Sequence, residues 1–169
     1  SARDARWSVF NSLTSHLPRC IVLGHHAEDQ VETFLLNLLR GAGLSGLRSM
    51  RRLIQRSELK LLRPLLSYRK SQCLDYVNSH GLPTIQDSSN FDSEYARNYL
   101  RLDVMPMLMK RWPNSVESVN YSISALQSDW DMLSNYTLDR LRQISRRRFG
   151  LFCIDRNAFN DLNRTERHL

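Results

Sequence analysis

The stretch CIVLGHHAEDQVET, Cys20–Thr33, constrains the fold more than any other part of the chain. Cys20–Gly24 is a short apolar run closed by a glycine, the pattern of a buried strand and too short for a helix. Seven residues later the periodicity changes. Val31, Phe34, Leu35, Leu38 and Leu39 fall at i, i+3, i+4, i+7 and i+8, one apolar stripe along a helix predicted over Glu28–Arg40. Gly41 stands where a C-terminal cap belongs. A strand, a tight turn and an amphipathic helix make an α/β unit.

The remaining pattern extends this reading. Ala2–His16 reads as a helix, with Trp7, Phe10 and Leu13 at helical spacing and Pro18 beyond it. Gly41–Gly46 (GAGLSG) reads as a loop, and Leu59–Leu62 as a strand stopped at Pro64. A helix is predicted over Ser67–His80, with Ser67 as N-cap and Gly81 past its end. Pro83–Asn90 is loop. A helix capped by Asp92 or Ser93 runs to about Lys110, with a kink or break expected at Pro106. After the Trp112-Pro113-Asn114 break, Asn114–Ser145 reads as one long helical stretch, interrupted near Ser134-Asn135. Leu151–Ile154 is a predicted strand, and Arg156 onward is predicted helix. Strand–helix alternation gives way to extended helix at Pro113, which sets the expected domain boundary there.

Charge narrows the partners. The chain has 169 residues and a net charge of +7. Eight basic residues and one acid lie between Arg48 and Lys70, so that segment alone accounts for the excess. A second basic run spans Arg140–Arg148. Arginine outnumbers lysine 21 to 3, and its planar fork suits phosphate oxygens. A solvated face would look similar, but clustering favours a polyanion, and neither run has the wide apolar stripe of a membrane-surface helix. No apolar run approaches a membrane span. Three widely spaced cysteines, Cys20, Cys73 and Cys153, fit neither a disulfide framework nor a CxxC zinc site. The opening residues lack the apolar stretch of a signal peptide, so a cytoplasmic setting is expected.

The candidate site is GHHAEDQVET, Gly24–Thr33, at the carboxyl end of the predicted strand, where open α/β sheets gather ligands. His25 and His26 fall in the turn. Asp29 and Glu32, at i and i+3, share a helix face expected to point away from the core into a crevice. Two such carboxylates can hold Mg²⁺, an ammonium group or a proton in transit. Acids in a first helical turn are also favoured by the helix dipole whatever the function. Paired histidines can cap or ligate, and spacing alone leaves these alternatives open.

Several blocks, in one order, resemble the tRNA(Ile)-lysidine synthetases, members of the PP-loop ATP pyrophosphatase group. They are ARDARW at Ala2–Trp7, GHHAEDQVETFLLNLLRGAGLSGLRSM at Gly24–Met50, RPLL at Arg63–Leu66, and DSSNFDSEYARNYLR at Asp87–Arg101. The resemblance implies a partial Rossmann-like adenine nucleotide α-hydrolase domain over residues 1–112. A mostly helical region, 113–169, follows as a connector into a tRNA-binding domain. It further implies an ATP-dependent carbon–nitrogen ligase. That enzyme adenylates C2 of the wobble cytidine of a tRNA(Ile) with a CAU anticodon, then attaches free L-lysine. Asp29, Glu32 and Arg97 become the catalytic candidates, and His25 and His26 the nucleotide contacts. Arg40, Arg48, Arg51, Arg52 and Arg63 become the tRNA-backbone candidates. ATP with Mg²⁺ is the implied cofactor set, with Asp29 and Glu32 as metal candidates, and a homodimer is compatible with it. The family's SGGxDS loop does not occur in these residues. The expectation is therefore a fragment that is inactive by itself. Two rivals stand beside this reading. One is a 2-thiocytidine-forming PP-loop enzyme, whose paired cysteines are missing here. The other is a non-catalytic RNA-binding module, which has no use for Asp29 and Glu32 in a crevice.

Overall fold

A computed structural model describes Val9 and residues 20–56, 59–85, 95–148 and 151–162. The expected helix at Ala2–His16, apart from Val9, lies outside the described residues. So do most of the loop at Pro83–Asn90 and the predicted cap at Asp92 or Ser93. The chain forms two compact units, residues 1–123 and 124–169.

The first unit is α/β. Its sheet has the order β1-β3-β2, from β1 (Cys20–Val22), β2 (Leu53–Arg56) and β3 (Leu59–Leu62). β1 runs parallel to β3, with Ile21 opposite Leu61, while β2 is antiparallel to β3, with Ile54 opposite Leu61. The parallel pair is reached through α1 (Ala27–Leu39), as the strand–turn–helix pattern requires. β3 buries Leu59 and Leu61, but β1 does not bury its side chains as predicted. Cys20 and Val22 are exposed, because among the described strands β1 has a neighbour on one side only.

α1 ends at a glycine, as expected. Gly41 takes a φ of +71°, a left-handed conformation that costs a glycine little. The Gly41 N–H donates to Leu38 O and the Ala42 N–H to Asn37 O, closing the last turn. The following GAGLSG segment is not simply loop, since Leu44–Leu47 forms a helical turn, α2. Gly46 is small for an internal reason: a Cβ there would sit 2.7 Å from the Ala42 Cβ. Its carbonyl accepts from Asn37 Nδ2 at 2.8 Å.

Ser67 is not a helix N-cap. It ends a 3₁₀ turn, Pro64–Ser67, begun by the proline, and α3 spans Lys70–Ser79 with Arg69 as its cap. Gly81 (φ +59°) closes that helix in the same manner as Gly41. Pro106 does not break the next helix. α4 (Ala96–Tyr99), a π-turn (Leu100–Val104) and α5 (Met105–Arg111) follow without interruption. Proline lacks an N–H and its ring crowds the carbonyl four residues back, and a wider turn just before it absorbs both defects. Helix α6 then runs unbroken from Ser115 to Ile144, through the expected interruption at Ser134-Asn135.

The core of this unit joins α1, α5 and α6. Ala27, Val31, Met105 and Val116 are buried together, with Leu35, Leu108, Met109 and Val119 packed against them. Burying Val31, Met105 and Val116 stabilises the fold by roughly 1.5–3 kcal/mol each. The second unit contains a hairpin of β4 (Ser145–Arg148) and β5 (Leu151–Ile154), then α7 (Arg156–Asn160). β5 lies where a strand is expected, while its partner β4 falls within the basic run Arg140–Arg148, whose charge hides the strand pattern. Asp155 caps α7, its Oδ1 accepting from the Asn157 and Ala158 N–H groups at 2.9 and 3.0 Å.

Candidate functional site

The parallel strands β1 and β3 end side by side, and the site is built on their carboxyl ends. The Leu23 N–H donates to Leu62 O at 2.8 Å, one residue beyond the paired strands. The chain then turns through Gly24, His25 and His26 into α1 on one side, and through Arg63 and Pro64 on the other. The Ala27 N–H, free at the start of α1, donates to Tyr68 O at 2.9 Å and ties the two connections together.

Asp29 and Glu32 are buried, at 7% and 1% exposure, in the first two turns of α1. A cleft lies beside them with Glu32 in its wall, as the sequence reading expected, but neither carboxylate stands open to solvent. They face the α4–π-turn segment, and two arginines from it cover them. Arg101 grips Glu32 as a fork, Nε to Oε1 at 2.7 Å and Nη2 to Oε2 at 3.0 Å. Arg97 Nε donates to Glu32 Oε2 at 2.8 Å. Both arginines also reach Asp29 Oδ1, at 3.2 Å from Arg97 and 2.9 Å from Arg101. The remaining Asp29 oxygen accepts the His26 N–H at 3.0 Å, one half of a capping box. The i, i+4 spacing of Arg97 and Arg101 sets both on the face that meets the i, i+3 carboxylates. Hydrogen bonding to Glu32 raises the Arg101 guanidinium above its already high value, against the opposing effect of burial.

As the pair stands, with both arginines in place, it leaves no carboxylate oxygen open to the Mg²⁺ that was one option for it. Both oxygens of each carboxylate already accept N–H donors. Among the described residues no group of three or more His, Cys, Asp or Glu side chains is placed to hold a metal ion.

Besides Arg101, three residues of the site escaped the sequence reading. Glu28, an acid of the first helical turn, accepts from Arg69 Nε at 2.8 Å and from the Lys70 N–H at 2.9 Å. Its Oε2 lies 3.0 Å from His26 Nδ1. Arg69 continues through Nη1 to Glu117 Oε1 at 2.6 Å, so α1, α3 and α6 meet at one guanidinium. Gln30 holds the Met50 backbone in both directions, Nε2 to O at 2.7 Å and N–H to Oε1 at 2.9 Å. It thereby anchors the segment that carries Arg48, Arg51 and Arg52. Beside these groups lies a cleft of about 230 Å³, walled by His26, Glu28, Glu32, Arg69, Lys70 and Arg101.

Burial pushes the Glu28 carboxyl upward, but the His26 ring close beside it and hydrogen bonds from the Lys70 N–H and Arg69 outweigh this and hold the group at about 2. The folded value is depressed from 4.5, so the stabilisation is complete above 4.5 and disappears as pH falls through about 2. Allowing for solvent screening, it amounts to about 1–2 kcal/mol. Denaturant titrations of wild type and Glu28→Gln should differ by this amount at pH 6 and converge near pH 2. A pH-independent gap would contradict the assignment.

The candidate tRNA arginines separate into two kinds. Arg40 and Arg52 are exposed, and Arg48 and Arg51 are half-buried. Arg63 is buried at 8% exposure and is not a surface phosphate contact. Its Nε donates to His25 Nδ1 at 3.2 Å and its Nη1 to Arg51 O at 2.9 Å. Burial lowers the His25 imidazole below its ordinary value; Asp29 opposes this, while Arg63, Arg97 and His26 add to it.

A site at the carboxyl ends of parallel strands, opened by a His-His turn and an acidic helix start, defines a class. The family model for the PP-loop domain matches residues 1–108, and the chain belongs to that family. Within it, the chain is similar to tRNA(Ile)-lysidine synthases. It is 41% identical to that of Legionella pneumophila (strain Lens) over 127 residues, 75% of this chain and 29% of the relative. It is 38% identical to that of Photorhabdus laumondii over 144 residues (85% and 32%). The synthase of Escherichia coli O157:H7 is 35% identical over 164 residues (96% and 38%). The chain thus spans about a third of the length of the curated relatives it matches. No helix among the described residues is long and apolar enough to cross a membrane.

Proposed function

We propose that this chain is part of a cytoplasmic tRNA(Ile)-lysidine synthase, an ATP-dependent carbon–nitrogen ligase. In this reading residues 1–112 belong to the nucleotide-binding domain, and 113–169 lead into a tRNA-binding domain. ATP adenylates the C2 carbonyl oxygen of the wobble cytidine in a tRNA(Ile) with a CAU anticodon, releasing pyrophosphate. The ε-amine of free lysine then attacks C2 and AMP departs. The observation that carries the reading is the Asp29–Glu32 pair closed by Arg97 and Arg101 at the strand ends of a PP-loop chain.

The pairing suggests how one cluster serves two steps. Without substrate, the arginines neutralise the carboxylates and hold them in place. The Arg97 side chain is 39% exposed and that of Arg101 28%. Arg97 is the one released toward the negative charge that develops during adenylation. Its departure frees Glu32 Oε2 and one face of Asp29 for the lysine ammonium. A carboxylate then accepts the ammonium proton, so that the amine attacks in its neutral form. Mg²⁺ travels on the ATP phosphates rather than on this pair.

The described cysteines, Cys20, Cys73 and Cys153, are free thiols on three separate elements, which weighs against the sulfur-inserting alternative. The deciding assay follows labelled lysine into tRNA(Ile) bearing a CAU anticodon, using the intact protein. ATP-dependent lysine at the wobble cytidine is expected. A sulfur product, or binding without any product, would overturn the reading.

Arg40, Arg48, Arg51 and Arg52 form the proposed tRNA-backbone set. Replacing Arg40, Arg48 and Arg52 together by Gln should weaken tRNA binding and flatten its salt dependence by roughly 2–3 logarithmic units of slope. ATP affinity should be unchanged. An unaltered slope would exclude them.

A further inference from the structure

The buried Arg63 has a use that its place in a basic segment concealed. It follows β3 and stands against His25, which follows β1, so the parallel pairing of the two strands brings them together. A guanidinium is a donor only and cannot accept a hydrogen bond. The Arg63 Nε–H···Nδ1 contact at 3.2 Å therefore requires His25 Nδ1 to be unprotonated. Arg63 is itself fixed, since its Nη1 donates to Arg51 O at 2.9 Å and its backbone N–H to Arg52 O at 2.8 Å. Its backbone is pinned at the end of β3, and its side chain cannot swing away without breaking the bond to Arg51 O.

We propose that Arg63 is a positioning residue that locks His25 in the neutral tautomer carrying its proton on Nε2. The ring then presents one N–H donor of fixed identity at the strand ends, suited to an acceptor on a bound adenine nucleotide. The charged or titratable groups facing the ring are Arg63 from the end of β3, Arg97 from α4, and Asp29 and His26 from the start of α1. Three of these four disfavour a second proton on the ring and one favours it. A histidine without Arg63 would distribute its proton between the two nitrogens and offer a donor or an acceptor indifferently. The tautomer assignment stands on geometry alone, while its use toward nucleotide rests on the proposed function.

Nitrogen-15 spectra of the histidine-labelled intact protein, with His25 assigned by its loss in His25→Gln, test this directly. The wild type should show Nδ1 as the unprotonated nitrogen and Nε2 as the protonated one throughout the neutral range. A protonated Nδ1 in the wild-type spectrum would overturn the proposal. Arg63→Met should give a mixture of tautomers and an upward shift of the His25 titration, whereas Arg63→Lys, which keeps a donor, should restore the single tautomer. An unchanged tautomer in a folded Arg63→Met protein would equally overturn it. Added ATP should then move the Nε2 resonance more than Nδ1. If ATP binds and neither moves, the nucleotide contact is wrong. If ATP does not bind at all, the proposed function fails while the tautomer assignment stands.

Discussion

Glu32→Gln should abolish lysine incorporation while leaving ATP binding largely intact. Glu32 is almost fully buried and accepts three hydrogen bonds from two guanidiniums. The amide keeps the shape but loses the charge and offers an N–H where an arginine donates. Two cations then share Asp29 alone. Removing one partner of a buried ion pair costs about 3–5 kcal/mol, and the isosteric amide should fall near the lower figure, about 3 kcal/mol. Thermal denaturation and a lysine-incorporation assay, run well below the variant's melting temperature, check both halves. Unchanged incorporation would remove Glu32 from the chemistry, and unchanged stability would show the ion pairs to be energetically idle.

The two arginines should part company. Arg101→Ala strips Glu32 of its bidentate partner and Asp29 of its shorter contact, so it should destabilise the protein by about 3 kcal/mol. Arg97→Ala leaves Glu32 still forked to Arg101 and removes the more exposed side chain, so the expected loss is about 1 kcal/mol. Its main effect should instead appear as slower adenylate formation. A charge-assisted contact made in the transition state is worth about 10²–10³-fold in rate. Denaturation curves and pre-steady-state adenylation rates for both variants separate holding from reacting. A normal adenylation rate in Arg97→Ala would return it to a structural role.

The parts of this account visible in the sequence are those carried by local pattern. The β1–α1 unit, the Gly41 stop and the acidic pair needed only periodicity and a short motif. The π-turn at Leu100–Val104 was missed because proline signals a defect without saying how the chain absorbs it. The burial of α1 also ran against its pattern. Asp29, Gln30 and Glu32 are buried, while Leu38 and Leu39, on the apolar stripe, are exposed. Periodicity assumes that charge means solvent, and it cannot foresee partners arriving from 65 to 72 residues away. Arg101 closes the DSSNFDSEYARNYLR block, where nothing local marks it as the partner of Glu32. Arg69 and Arg63 were hidden in a basic segment, where their individual contacts to Glu28 and His25 left no mark on composition.

The central claim is that substrate binding draws Arg97 away and opens the Asp29–Glu32 pair to an amine. A structure of the intact protein with lysine and a non-hydrolysable ATP analogue tests it most directly. The account predicts the lysine ammonium within about 3 Å of a carboxylate oxygen of Glu32 or Asp29. It also predicts Arg101 still in place, with Arg97 turned toward the phosphates. Both arginines unmoved on the carboxylates, with lysine bound elsewhere, would contradict it.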